Sequence, residues 1–117
     1  MPDPVNLLEY EPLARARLSE TEFGYFASGA GAEITLNENR AAYDRRRLRP
    51  RVLVPVAQRD LSTMVMGERL SWPVVVAPMA FQRLAHPEGE LATARACAAT
   101  KTLMVASTVA TTSLEDI

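Results

Sequence analysis

Two short runs of consecutive apolar residues, 74–77 and 103–106, stand out from the mixed pattern around them. Runs that are apolar on both faces are typical of strands in a parallel sheet that is covered on both sides. Pro78 ends the first run, Ser107 and Thr108 end the second, and residues 112–116 indicate the start of a helix. The order strand, helix, strand, helix start predicts a βαβ unit, in which ligand-contacting residues follow the carboxyl ends of the strands.

The segment between the two runs has the features of a helix. It is predicted to open at His86-Pro87, with proline at the first helical position, and to end near Thr100. Acidic residues in the first turn suit the helix dipole, and apolar residues recur at helical spacing along one face. These are, in order, Glu88 and Glu90, then Leu91, Ala94 and Ala98.

The first third of the chain is predicted to be helical, because the capping-box spacing occurs three times. In this motif a cap side chain and an acid three residues later satisfy the free amides of a helix start. The pairs are Asn6 with Glu9, Ser19 with Glu22, and Thr35 with Glu38. Since proline breaks the interior of a helix, we expect a single turn over 6–11 and a second helix beginning at Pro12.

The middle of the chain changes to β-type pieces. Residues 52–54 and 63–66 are short runs rich in valine, leucine and methionine, and Pro73 precedes the next strand. Gly67-Glu68 has the composition of a turn. This pattern predicts a hairpin between the helical region and the βαβ unit.

Composition and charge exclude some classes of function. The 117 residues are 48% hydrophobic and 23% charged, with a net charge of −1, as in ordinary soluble globular domains without a basic face for nucleic acid. The exception is an arginine cluster, which we interpret as a solvated helix end favoured by the helix dipole, the alternative being a binding patch. Its members are Arg45, Arg46, Arg47, Arg49 and Arg51.

The cysteine content and the termini favour a cytoplasmic protein. Cys97 is the only cysteine, so an internal disulfide is impossible. It lies on an alanine-rich helix without a nearby base, which favours a buried packing thiol over a nucleophile. No signal-peptide pattern and no apolar run of about 20 residues is present, so we expect no membrane span.

Several motifs follow one another along the chain: YFASGA at 25–30, TLNENR at 35–40, LRPR at 48–51, APMA at 77–80, AHPEGE at 85–90 with ATA at 92–94, and SLE at 113–115. In this order and spacing they resemble the N-terminal portion of the FMN-dependent 2-hydroxy acid oxidases and dehydrogenases. This family includes glycolate oxidase, lactate oxidase and mandelate dehydrogenase. The match extends from about Val5 to Ile117, and its motif residues most resemble those of bacterial lactate or glycolate oxidases.

The resemblance implies an α/β fold, namely the N-terminal part of a (β/α)8 TIM barrel with FMN at the carboxyl ends of its strands. Residues 1–48 would be the helical lead-in, 49–73 the hairpin, and 74–117 the first βαβ unit with the first two barrel strands. By the resemblance, Pro78, Met79 and Ala80 would run their backbone along the flavin ring. Ser107 would hydrogen-bond the isoalloxazine, and Tyr25 would donate its hydroxyl to the substrate carboxylate.

Departures from the family pattern bear on specificity. Val109 stands where plant glycolate oxidases carry tryptophan, so the substrate pocket is expected to be wider and to favour lactate or longer 2-hydroxy acids. Phe26 replaces a second tyrosine, with no assigned effect. Ala80 is commoner among the oxidases, which favours O2 as the acceptor. His86, the only histidine, matches a helix-start motif, not the catalytic histidine of the family, and is interpreted as structural.

The resemblance implies oxidation of (S)-2-hydroxy acids such as L-lactate or glycolate to 2-oxo acids, with O2 reduced to H2O2, by a homotetramer. The catalytic histidine, the arginine and the lysine of the family come from the later half of a barrel that needs about 250 residues. We therefore assign neither a catalytic residue nor a metal site to these residues. Two alternatives stay open: a dehydrogenase with a quinone or cytochrome acceptor, or an inactive half-barrel fragment that acts only in assembly.

Overall fold

The computed structural model describes residues 4–117, and the chain divides into two compact units, Met1–Val54 and Pro55–Ile117. The first unit contains helices α1 (Tyr10–Arg15), α2 (Glu20–Ala27) and α3 (Ile34–Asp44). The second contains strands β1 (Thr63–Val65) and β2 (Glu68–Leu70) and helix α4 (Gly89–Thr100). Short 3-10 turns occur at Leu7–Glu9 and Gln82–Leu84. Over residues 4–117, no helix combines the length and apolar character that a membrane crossing requires.

The capping box predicted for α2 is confirmed. Ser19 Oγ accepts a hydrogen bond from the Glu22 amide at 3.3 Å, and Glu22 Oε2 accepts one from the Ser19 amide at 3.0 Å. The Ser19 hydroxyl also donates to Glu22 Oε2 at 2.7 Å, and this bond together with the one from the Ser19 amide holds the pKa of Glu22 below its usual value, since both favour the charged carboxylate. The start of α2 is thus determined by local sequence.

The predicted turn before α1 is present, but the helix start is two residues earlier than expected. Asn6 Oδ1 accepts from the Leu8 amide at 3.0 Å, and Glu9 Oε2 accepts from the Val5 amide at 3.2 Å. Helix α1 begins at Tyr10, so the predicted start at Pro12 is wrong. The first turn of a helix tolerates proline because its amides have no intrahelical acceptor.

The capping box predicted at Thr35 and Glu38 is wrong. Helix α3 already begins at Ile34, so Thr35 lies within it and cannot take the extended conformation of a cap. Glu33 occupies the cap position with a left-handed φ of 57°, and its carboxylate accepts from the Gly29 amide at 3.0 Å. Glu38 instead pairs with Arg45, seven residues later in the chain, at 2.8 Å.

The arginine cluster has the features of a solvated helix end. Its members are exposed and follow the end of α3. Arg47 Nη1 donates to the carbonyl oxygen of Asp44 at 2.9 Å, which satisfies a carbonyl at the helix C-terminus.

The predicted hairpin is present with a shorter extent. Strands β1 and β2 are antiparallel, in the register Thr63 to Leu70, Met64 to Arg69 and Val65 to Glu68. The loop is Met66-Gly67 and not Gly67-Glu68, because both loop residues have positive φ, 52° and 88°, as a type I′ turn requires. The strand predicted over 52–54 is wrong, because Val52 and Leu53 form a turn, with Leu53 at a φ of 61°, and Val54 has no regular structure.

The two apolar runs pair in parallel, as predicted. The Val76 amide donates to the Leu103 carbonyl at 2.9 Å, and the Val105 amide donates to the Val76 carbonyl at 3.0 Å. The pairing amounts to one bridge, between Val76 and Met104, and Val74 remains 46% exposed. Burial of both faces needs further strands and helices on each side, so coverage of these strands in a complete barrel stays a prediction.

Helix α4 begins later than its proline. Gly89 is the first residue of α4, and its left-handed φ of 47° separates the helix from the preceding turn. The expected helix start at Pro87 is therefore wrong by two residues. His86 Nδ1 accepts from the Glu88 amide at 3.2 Å, in agreement with a structural role for this histidine. Cys97 on α4 is buried, as predicted for a packing thiol.

The predicted helix start over 112–116 is present as a single turn. Ser113 Oγ accepts from the Asp116 amide at 3.3 Å and donates to its carboxylate at 2.7 Å. The Ile117 amide donates to the Ser113 carbonyl at 3.1 Å, which has the spacing of an α-helical bond.

Candidate functional site

The two segments that follow the paired strands lie side by side. The Phe81 amide donates to the carbonyl oxygen of Val109 at 3.3 Å, and the Arg83 amide donates to Thr111 Oγ1 at 3.3 Å. We call the segments 78–84 and 107–112 the first and second strand exits. Parallel strands place their carboxyl ends at one edge, and that is where open α/β folds bind ligands.

The first exit presents main-chain donors at its surface. Pro78 and Met79 are exposed and Ala80 is half-buried. Within residues 4–117, neither the Met79 amide nor the Ala80 amide donates to a protein acceptor. Because Pro78 and Ala80 have small side chains, a flat group could approach these amides closely.

The second exit offers a hydroxyl group. Ser107 Oγ accepts from the Val109 amide at 3.2 Å and keeps its hydrogen for donation to another acceptor. Ser107 is half-buried and Val109 is 48% exposed. The structure therefore brings together five of the sequence-predicted site residues: Pro78, Met79, Ala80, Ser107 and Val109.

Tyr25 belongs to the first unit. It lies on α2, is 49% exposed, and contacts Phe26 edge-on, with ring centroids 5.1 Å apart and ring planes at 79°. Its assignment to the substrate carboxylate stays a prediction. In the described part of the chain, no group of three or more His, Cys, Asp or Glu side chains could hold a metal ion.

The backbone turns sharply directly after Ala80. Phe81 has a left-handed φ of 54°, which is uncommon for a residue with a side chain. The conformation directs the chain into the 3-10 turn Gln82–Leu84 and leaves 78–80 as a short edge. Such backbone outliers cluster at ligand-binding segments.

Sequence reasoning missed a buried carboxylate between the two exits. Glu90 was predicted only as a first-turn acid of the helix, yet its side chain is fully buried. Its Oε1 accepts from the Gln82 and Thr111 amides at 3.3 and 2.8 Å. Its Oε2 accepts from the hydroxyls of Thr111 and Thr112 at 2.6 and 3.0 Å. A signal was present in the sequence, since paired threonines follow the second apolar run.

The Glu90 carboxylate is ionised at neutral pH. Burial by itself would raise its pKa, but the hydrogen bonds from Thr111, its own amide and Thr112 together lower the pKa to about 2. A carboxylate that accepts several hydrogen bonds is stabilised in its charged form. The group is therefore a fixed negative charge beneath the strand exits.

Gln82 connects the first exit to α4. It is 4% exposed, and its Oε1 accepts from Thr93 Oγ1 at 2.6 Å. Its Nε2 lies 3.5 Å from the Met79 carbonyl oxygen, at the outer limit for a hydrogen bond. The buried side chains of Gln82 and Glu90 thus hold the first exit in place through hydrogen bonds.

Open α/β proteins bind their ligands at the carboxyl ends of parallel strands, which is where these two exits lie. The sequence profile of the FMN-dependent dehydrogenase family matches residues 14–117, and the chain belongs to this family, as part of its N-terminal region. FMN is the cofactor of the family.

Curated relatives agree with this assignment. The chain is 58% identical over 114 residues to an L-lactate oxidase of Nostoc sp., covering 97% of this chain and 31% of the relative. It is 46% identical over 117 residues to glycolate oxidase 1 of Zea mays, covering 100% of this chain and 32% of the relative. The chain thus spans about a third of the length of these relatives.

Solved structures share the fold. A lactate oxidase of Pediococcus acidilactici matches with a TM-score of 0.91 at 38% identity, covering 97% of this chain and 32% of that chain. A mandelate oxidase matches with a TM-score of 0.92 at 38% identity, covering 97% of this chain and 33% of that chain. The helices and the hairpin are consistent with part of the barrel of these enzymes.

Proposed function

We propose that the complete protein is an FMN-dependent oxidase that converts small (S)-2-hydroxy acids, such as L-lactate or glycolate, to 2-oxo acids and reduces O2 to H2O2. The identity to lactate and glycolate oxidases supports the substrate class. The observation that carries the proposal is the juxtaposition of two exposed strand exits with available amides and a serine hydroxyl.

The residues of the exits fit a flavin ring. The Met79 and Ala80 amides would donate to its polar edge, Pro78 would flank them, and the Ser107 hydroxyl would donate from the second strand. When bound, FMN supplies a two-electron acceptor for the hydride equivalent that leaves the substrate. These residues hold the ring in a fixed orientation relative to the substrate, which the reaction requires.

Two residues are assigned to the substrate. The Tyr25 hydroxyl would donate to the carboxylate and fix the orientation of the substrate carbon that is oxidised. Val109 would line the pocket beside the second exit, where its small side chain leaves room for the methyl group of lactate. We assign no proton-transferring residue among these 117 residues.

The complete protein is proposed to be a (β/α)8 barrel with the lead-in, hairpin and first βαβ unit at 1–48, 49–73 and 74–117. The complete protein is further proposed to form a homotetramer and to be located in the cytoplasm. Family resemblance supports the barrel and the tetramer, and the single cysteine is consistent with a reducing compartment. Native mass spectrometry of the complete protein tests the assembly, because four chains with four FMN molecules are expected.

The activity is tested by two measurements on the complete FMN-loaded protein. Anaerobic addition of L-lactate or glycolate should bleach the flavin absorbance, and readmitted O2 should restore it with release of H2O2. Absence of bleaching with either acid would refute the proposed substrate class.

A dehydrogenase is the second candidate. A soluble mutant of the membrane-associated (S)-mandelate dehydrogenase of Pseudomonas putida matches with a TM-score of 0.91 at 33% identity. Under this alternative, substrate would bleach the flavin but O2 would restore it slowly, whereas a quinone or cytochrome acceptor would restore it quickly. If the chain exists only as the inactive fragment, neither flavin reduction nor turnover will be observed.

A further inference from the structure

One carboxylate connects the two strand exits and the helix between them. Glu90 lies in the first turn of α4, eight residues after Gln82 and 21 before Thr111. Each of its oxygens accepts two hydrogen bonds, and the donors come from both exits. The side chain therefore joins segments that are distant in sequence.

Two of the hydrogen bonds that Glu90 accepts are shorter than the direct hydrogen bonds between the two strand exits. The direct bonds between the exits, from Phe81 to Val109 and from Arg83 to Thr111, measure 3.3 Å each. The Glu90 bonds to the amide and the hydroxyl of Thr111 measure 2.8 and 2.6 Å. Hydrogen bonds to an ionised carboxylate are stronger than bonds between neutral groups.

Only an acceptor without hydrogens satisfies all these donors together. The Gln82 and Thr111 amides can only donate, and both threonine hydroxyls are used as donors to the second oxygen. Thr111 Oγ1 also accepts from the Arg83 amide, which constrains the direction of its hydrogen. An amide at position 90 would place N–H groups against hydroxyl hydrogens.

The network is close to the proposed flavin contacts. Gln82 is two residues from Ala80, and Thr111 is four residues from Ser107. A shift of either anchor is transmitted through a short segment to the amides and the hydroxyl that would meet the ring. We propose that Glu90 is a positioning residue, which holds the two exits at the separation that FMN binding and hydride transfer require; this inference rests on the proposed function.

The decisive variant is Glu90→Gln in the complete FMN-loaded protein, with Glu88→Gln as the matched control. Glu88 carries the same group two residues away, is exposed, and pairs with Arg95 outside the exits. Because small displacements at a reacting centre are costly, we expect Glu90→Gln to weaken FMN binding and lower kcat by about tenfold each. The Glu88→Gln protein should match the wild type within about twofold.

A second pair of variants covers the case in which Glu90→Gln does not fold. Thr112→Val removes one hydroxyl donor to Glu90 Oε2 while keeping the side-chain shape, and Thr112→Ser keeps the hydroxyl. We expect Thr112→Val to change the visible circular dichroism of bound FMN and to weaken its binding in the same direction as Glu90→Gln. Thr112→Ser should restore the wild-type spectrum and affinity.

The readouts separate positioning from simple stabilisation. A lowered melting temperature with unchanged flavin dichroism, FMN affinity and kcat, in Glu90→Gln or in Thr112→Val, would overturn the inference and leave Glu90 a purely structural residue. A wild-type protein that neither binds FMN nor oxidises 2-hydroxy acids would instead refute the proposed function, and the inference with it. The wild-type assay therefore distinguishes the two failures.

Discussion

The amide of Phe81 donates to the carbonyl oxygen of Val109 at 3.3 Å, which links the segment after the first paired strand to the segment after the second. The two residues are far apart in sequence, and each lies within two residues of a predicted cofactor contact. Phe81 follows Ala80 with a left-handed φ of 54°, and Val109 follows Ser107 by two residues. This contact brings the two strand exits that carry the predicted cofactor residues side by side.

Replacing Gly89 with alanine should destabilise the protein. A Cβ atom at Gly89 would lie 2.7 Å from Arg83 Cγ, and the φ of 47° disfavours any L side chain. The backbone conformation alone costs about 1–2 kcal/mol for alanine, and the close contact adds to it. Denaturant unfolding measures the effect. The control Gly24→Ala has open space around it in α2 and should stabilise by up to about 1 kcal/mol. Equal stability of Gly89→Ala and wild type would contradict this account.

The contribution of Glu90 to the free energy of unfolding should decrease as the pH is lowered into the acidic range. The pKa of its carboxyl is lowered from 4.5 to about 2, so the stabilisation is complete above pH 4.5 and is lost as the pH falls toward about 2. The groups that bond to it are amides and hydroxyls, which do not titrate in this range. The difference in unfolding free energy between wild type and Glu90→Gln should therefore shrink on acidification.

Comparison with the variant isolates this titration. Glu22 and Asp60 also have lowered pKa values, but both proteins contain them, so their contributions cancel. Unfolding curves collected from neutral pH downward provide the measurement. A free-energy difference that stays constant across the acidic range would contradict an ionised Glu90 network.

Ser107→Ala should weaken FMN binding. The hydroxyl accepts from the Val109 amide, and its hydrogen is assigned to the flavin ring. Loss of one such bond, together with one acceptor for a backbone amide, lowers affinity by about tenfold. Fluorescence quenching of FMN on titration measures the dissociation constant. Ser71→Ala, an exposed serine of the same unit, is the control and should leave the constant unchanged.

Val109→Trp should change substrate preference and not flavin affinity. Val109 is 48% exposed beside the second exit, and tryptophan would fill space assigned to the substrate side chain. We expect kcat/KM for L-lactate to fall by about tenfold relative to glycolate, since steric exclusion of a methyl group is worth about 1–3 kcal/mol. Steady-state kinetics with both acids checks the ratio. An unchanged ratio would remove Val109 from the substrate pocket.

Tyr25→Phe should raise KM and leave FMN in place. A hydroxyl bond to a carboxylate contributes about 1.5–3 kcal/mol, so substrate affinity should fall by about tenfold or more. Tyr43→Phe is the matched control, because Tyr43 lies on α3 with 82% of its surface exposed. Kinetics and flavin content are measured for both variants. Identical constants for Tyr25→Phe and Tyr43→Phe would exclude the proposed role of Tyr25.

Local sequence signals predicted the elements that local interactions stabilise. The Ser19 and Glu22 pair begins α2 as expected, because both partners lie within one turn of each other. The Thr35 and Glu38 pair has the same spacing and fails, since Glu33 takes the cap position and Glu38 bonds to Arg45. Identical spacings thus give different results once other partners compete for the same carboxylate.

The sequence by itself determined the βαβ order, the hairpin, the packing role of Cys97 and, through its motifs, the family. These features depend on hydrophobic periodicity, turn composition and motif spacing, all of which are written along the chain. Tertiary structure alone decided that Glu90 is buried between Gln82 and Thr111 and that Phe81 meets Val109. Those contacts join residues brought together only by the parallel pairing of Val76 with Met104, and no local pattern encodes which distant donors a carboxylate will meet.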